Sequence, residues 1–146
     1  MIGEGKKLAV FGLRLIGWAA VLSAQQNQFT GAWFSEGRQY MVGRVRIEVA
    51  FMPGSRLEIS RLEFVRGNRD MKVVRRASTS FQVQRDGTIR IRSGRGPGYA
   101  LARESNKLTL AFIGELGPYR PRDERVAKIW DVVGPIQSMT FAPFAP

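Results

Sequence analysis

From residue 29 onward the apolar positions recur with a period of two. Val45, Ile47, Val49 and Phe51 alternate with Arg44, Arg46, Glu48 and Ala50, which predicts a strand with one apolar and one mostly charged face. Met52-Pro53-Gly54-Ser55 reads as a turn. Leu57 and Ile59 then share a face, Leu62 and Phe64 fall out of step with them, and a bulge near Ser60-Arg61 is expected to restore the phase. Gly67-Asn68 is the next expected turn.

Two hairpins can be registered from the sequence. Phe81 and Val83 precede Arg85-Asp86-Gly87, and Ile89 and Ile91 follow it. A two-residue Asp-Gly loop would mix the faces. A three-residue loop with Gly87 in the left-handed region pairs Val83 with Ile89 and Phe81 with Ile91, keeping four apolar side chains together. In the second hairpin, Ser105 and Asn106 at the tip set Leu101 opposite Leu110, Tyr99 opposite Phe112 and Glu104 opposite Lys107.

Residues 122–133 admit two readings. Val126, Ile129, Trp130 and Val133 have helical spacing, with Asp123 and Glu124 in a first turn and Gly134-Pro135 as a stop. The β-branched residues toward the end of the segment favour a strand instead. Ile136 to Phe141 reads as a final strand, and residues 142–146 as a Pro-rich tail unable to continue a ladder. The expected fold is all-β: seven or eight short strands in an antiparallel up-and-down barrel over residues 25–141, with a leader helix and room for one short C-terminal helix.

The leader, residues 1–24, carries Lys6, Lys7 and Arg14 ahead of the apolar run Leu15 to Leu22, then Ser23-Ala24 and a polar start. That order predicts a secretory signal and a secreted or periplasmic protein. The rival reading is a retained membrane anchor, which the Arg14 charge disfavours by roughly 2.5–3.5 kcal/mol.

Charge adds a second theme. Behind the leader, 20 Lys and Arg stand against 11 Asp and Glu, a net of +9, which points to contact with an anionic partner or larger assembly. Arg75, Arg76, Arg90 and Arg92 are the candidate contacts. They fall in expected strands rather than in a basic arm, so sequence-specific nucleic-acid binding is not expected. The chain has no histidine and no cysteine. That excludes histidine- or thiolate-ligated zinc, axial-histidine haem, thiol nucleophiles and Ser-His-Asp triads. Gly94-Arg95-Gly96-Pro97-Gly98 lacks the Lys-Ser/Thr ending of a phosphate loop and reads as a turn. Asp123 and Glu124 have no assignable partner carboxylate. A non-catalytic protein without a cofactor is expected.

Phe29-Thr30-Gly31-Ala32-Trp33-Phe34 resembles the opening strand of the lipocalin and avidin group of barrels. Residues 78–92 and 98–115 look like the middle hairpins of small bacterial lipocalin-like domains. The resemblance implies Trp33 on the floor of a closed barrel end and a small apolar or amphipathic molecule inside, touched by Trp33, Val49, Phe81, Ile91, Tyr99, Leu110 and Phe112. The chain departs from the group in having no Thr-Asp-Tyr-like loop midway. It also has no arginine after Trp130, in Asp131-Val132-Val133-Gly134, to close on the floor tryptophan. Two functions are therefore carried forward: a ligand-holding barrel, and a basic accessory subunit docking through surface arginines. Exterior arginines suit the second, whereas Arg46, Arg90 and Arg92 turned inward would make a polar, anion-holding cavity.

Overall fold

A computed structural model describes residues 28–39, 43–64 and 70–144. The leader and the Gly67-Asn68 turn lie outside those residues. The alternating segments form strands β1 (Ala32–Gln39), β2 (Gly43–Met52), β3 (Arg56–Phe64), β4 (Met71–Ser80), β5 (Ile89–Ile91), β6 (Gly98–Glu104), β7 (Lys107–Ile113) and β8 (Ser138–Pro143), with one helix, α1 (Glu124–Val133). They make a single eight-stranded antiparallel sheet in the order β4-β3-β2-β1-β8-β7-β6-β5, curled into a half-barrel. The two four-stranded meanders meet where β1 pairs with β8, through Trp33 opposite Pro143 and Phe34 opposite Ala142.

That junction corrects the expected tail. A proline interrupts a ladder only where its own N–H would donate. Here the next residue supplies the donor, Phe144 N–H bonding the Ala32 carbonyl at 3.1 Å. The final strand therefore runs through residues 142 and 143 instead of stopping at Phe141.

The other end of the sheet remains open, so the half-barrel has a seam between edges β4 and β5. The Asp86-Gly87 hairpin shows why. Val83 bridges Ile89 across the three-residue loop, and Gly87 has the left-handed φ of +82° that the loop requires. The expected Phe81–Ile91 rung is absent. Phe81 donates its N–H to Ser55 of the β2–β3 turn at 2.9 Å, while Ile91 pairs with Tyr99. The segment before the hairpin leans toward one edge and β5 toward the other.

The helical reading of residues 122–133 prevails over the strand. Asp123 caps α1 by accepting from Arg125 N–H, and Gly134 N–H returns to the Trp130 carbonyl. These bonds cap both ends, and the stripe Val126, Ile129, Val132 and Val133 is buried, which outweighs the β-branched propensity. The helix packs on β3 and β4, and its stripe joins the apolar face of the sheet in one core. At its N-terminal end Arg125 bonds Thr79 Oγ1 and the Ser80 carbonyl at the end of β4.

The phase break in β3 resolves differently from the expectation. Pairing of β2 with β3 is regular from Met52↔Arg56 to Val45↔Glu63. The register shift near Arg61 lies instead in β4, where Leu62 pairs with Val73 after Arg61 pairs with Arg75, leaving Val74 as the extra residue. A bulge on the partner strand cannot rephase β3. Arg61 and Glu63 therefore stay on the inner face beside Ile47 and Val45, and Leu62 and Phe64 point outward. The inward pair is satisfied: Arg61 Nε bonds Glu63 Oε1 at 3.1 Å, and its Nη1 lies 3.5 Å from the Val132 carbonyl at the C-terminal end of α1. That end has no basic residue of its own, so the strand supplies the charge complementing the helix dipole.

Candidate binding surfaces

At the start of β1, Gly31 adopts φ +79°, which turns the chain into the strand while its carbonyl accepts from Phe51 N–H at 3.0 Å. Trp33 is then buried, with its indole N–H on the Thr30 carbonyl at 2.9 Å. Over its ring lies the Arg103 guanidinium, 4.9 Å from the centroid. Arg103 also donates to the carbonyls of Gln28 and Ser105. An arginine thus stacks on Trp33, and it comes from β6 rather than from the segment after Trp130. Its signal was the one basic residue on the inward positions of β6, after Tyr99 and Leu101.

The seven residues expected to touch an enclosed ligand are brought together. Trp33, Val49, Phe81, Ile91, Tyr99, Leu110 and Phe112 belong to one core cluster, none more than 6% exposed. Aromatic edges fill the space: Tyr99 meets Phe112 at 5.2 Å, and Phe81 meets Phe51 at 5.7 Å. The helix stripe occupies the same interior. Tyr99 contributes a phenol oxygen that is buried without a hydrogen-bond partner, and burial, with the Asp131 charge second, pushes its pKa up.

The four arginines expected to meet an anion are not brought together. Arg75 sits on the inner face of β4 opposite Arg61. Arg76 sits on the outer face and pairs with Glu58 at 3.3 Å and Ser60 Oγ at 3.1 Å. Arg90 alternates with buried Ile89 and Ile91, so it points outward, bonding Asp86 Oδ2 at 2.9 Å. Arg92 lies half-buried just past β5. Arg46, weighed as an inward residue, also faces out, between inward Val45 and Ile47.

A different cationic surface emerges on the outer face of β1–β4. Across the strands the register aligns Glu36, Arg46, Leu62 and Val73, with Phe64 opposite Met71 alongside. Glu36, Arg44, Arg46, Phe64 and Met71 line a groove of about 480 Å³. Arg46 bonds Glu36 at 2.6 Å, and Arg44 stands 3.8 Å from the other carboxylate oxygen. The Arg46 bond, followed by the charges of Arg44 and Arg46, holds the Glu36 carboxyl below its usual range. One carboxylate serves two guanidiniums, so this part of the face stays positive. Arg46 also lies 5.1 Å from the Phe34 ring and 5.9 Å from Phe144, which extends the apolar and cationic face toward β8.

A second opening lies at the seam, about 400 Å³, where the end of β4, the Asp86-Gly87 hairpin and the first turn of α1 converge. No cluster of acidic residues suited to a metal ion occurs among the described residues. No helix among them is long and apolar enough to cross a membrane. The chain matches no protein-family model, no curated protein and no solved structure in the comparisons made.

Proposed function

We propose that this chain is a non-catalytic binding module that docks on an acidic protein surface through the outer face of β1–β4. The carrying observation is the phase break in β3. It leaves half-buried Leu62, Phe64 and Met71 and exposed Val73 on the outer face beside Arg44 and Arg46, outside the buried core. Interface centres are enriched in aromatic residues, Met and Arg, and this face holds all three. The net positive charge supports an acidic partner and electrostatically steered association. Storage of an apolar molecule has no comparable support, because the residues that would line the store fill it themselves. The meeting of β1 with β8, and Trp33 beneath Arg103, support kinship with the lipocalin group of barrels. The basic and apolar leader supports export.

Native mass spectrometry of the protein purified from its own source tests the reading. The wild type and an Arg95→Glu control are expected to retain a stoichiometric acidic polypeptide, and Arg44→Glu combined with Phe64→Ser to lose it. Retention of a small apolar molecule with no macromolecule would overturn the proposal. So would an acidic partner that the double variant keeps, or binding to anionic vesicles in place of a protein.

A further inference from the structure

The opening lies at the seam between the β4 and β5 edges, away from the outer-face groove of β1–β4, and does not depend on the docking reading. Its walls are held by the backbone. Phe81 N–H bonds Ser55 O at 2.9 Å, Gln84 N–H bonds Thr88 O at 2.7 Å, and Gly87 N–H bonds Gln84 O at 3.0 Å. The buried ring of Phe81 contributes to its floor, and Gln82, Gln84, Arg90 and Arg125 line it.

The two guanidiniums reach the opening from opposite sides of the seam. Arg125 comes from the helix packed on β4, and Arg90 from β5. Arg125 is oriented by neutral acceptors, Thr79 Oγ1 at 3.2 Å and the Ser80 carbonyl at 3.0 Å, so its charge is fixed in place without being neutralised there. Arg90 is held by Asp86 Oδ2 at 2.9 Å, while Asp86 Oδ1 takes both the N–H and the hydroxyl of Thr88. Those two Thr88 bonds, with a smaller contribution from Arg90, keep the Asp86 carboxyl below its usual range. Asp86 is thus committed to the hairpin and to Arg90, and the side-chain partners of Arg125 are neutral.

We propose that this opening binds a small oxyanion of the phosphate class. A planar carboxylate is saturated by one arginine fork. A tetrahedral anion presents oxygens in several directions and can accept from Arg90, Arg125 and the Gln82 and Gln84 amides at once. Because its donors come from both edges of the open sheet, the bound anion clamps the seam. Binding is therefore linked to stability.

Calorimetric titration and thermal unfolding of the full chain with inorganic phosphate, against acetate and chloride at matched ionic strength, test this. Saturable one-site phosphate binding is expected, with a rise in Tm that the other two anions do not produce. Arg125→Gln and, separately, Arg90→Gln are each expected to weaken binding about tenfold or more, while Arg95→Gln leaves it unchanged. Two variants from different edges separate loss of a ligand contact from loss of fold. A parallel arm uses vesicles containing phosphatidic acid. If Arg90 and Arg125 hold a lipid headgroup rather than a free anion, vesicle binding is lost in both variants and inorganic phosphate competes with it. The proposal fails if phosphate stabilises no more than acetate, or if Arg95→Gln weakens binding as much as the two seam variants. It also fails if both seam variants bind phosphate like the wild type.

Discussion

The β6–β7 hairpin and the β3–β4 hairpin use the same ladder for different purposes. Along β6–β7 the inward rungs Tyr99–Phe112 and Leu101–Leu110 are apolar and the intervening ones face solvent, so pattern and fold agree. Along β3–β4 the agreement holds from Leu57 to Ile59 and then reverses, with Arg61, Glu63 and Arg75 inside and Leu62, Phe64, Met71 and Val73 outside. Sequences specify a structure when every level points to the same answer, and departures collect where something else is being served. In this half-barrel the β5–β8 meander is built as scaffold. The upper part of β3–β4 gives up regular patterning to seat a helix on one side and present an apolar, cationic face on the other.

Removing one leucine from each hairpin tests the contrast most severely. Leu110 is 3% exposed on the inner face, and Leu110→Ala is expected to cost about 2–5 kcal/mol of unfolding free energy. Leu62→Ala, on the outer face, is expected to cost less than about 1 kcal/mol. Urea unfolding of both variants measures the difference. Equal losses would mean that Leu62 is core and that the two hairpins do not differ in kind.

A smaller effect sharpens the comparison from inside. Arg61 joins Glu63 to the last turn of α1, both partners being about one-fifth exposed. Arg61→Ala leaves a carboxylate and a helix-end carbonyl short of a donor, a loss of about 1–3 kcal/mol. Arg61→Met paired with Glu63→Leu is expected to recover most of it, because matched apolar replacement of a poorly solvated pair is often neutral. Failure of the double variant to recover would show that the charges themselves, rather than mutual satisfaction, fix the helix in place.

Legibility followed the same division. The β6–β7 register could be read rung by rung, because a one-residue slip would have exposed every apolar side chain. Gly87 and the Val83–Ile89 bridge were readable because the loop tolerates a single left-handed residue. Three features were not readable, and each depends on partners distant in sequence. The bulge could be located near residue 61 but not assigned to β4, since β3 alone does not reveal which strand carries the extra residue. Arg103 looked like any strand-end charge until the curl of the sheet brought β6 under β1. Arg125 is a first-turn helix residue whose partners on β4 lie more than forty positions earlier. The apolar interior was identified correctly as a set. Whether it would surround a cavity or close on itself depended on where α1 packs, and periodicity does not carry that information.

The smallest expected effect concerns the scaffold half. Tyr99 is 1% exposed, and its hydroxyl has no partner, so Tyr99→Phe removes a buried polar atom and breaks no bond. At neutral pH the variant is expected to match the wild type within about 1 kcal/mol, on the stable side, since an unpaired buried hydroxyl is a net cost. The pH dependence separates the two proteins further. In the unfolded chain the phenol ionises near pH ~10, whereas in the fold its pKa is raised by burial first and by Asp131 second. A raised folded pKa contributes stability that is complete below the unfolded value and is lost as pH climbs above it. Wild-type stability should therefore fall more steeply than that of Tyr99→Phe above pH ~10. Alkaline absorbance titration of the folded wild type should show one phenol that stays protonated until the protein unfolds. If Tyr99→Phe loses several kcal/mol at neutral pH, the hydroxyl has a partner, and the scaffold half contains a second inward polar commitment beside that of Arg103.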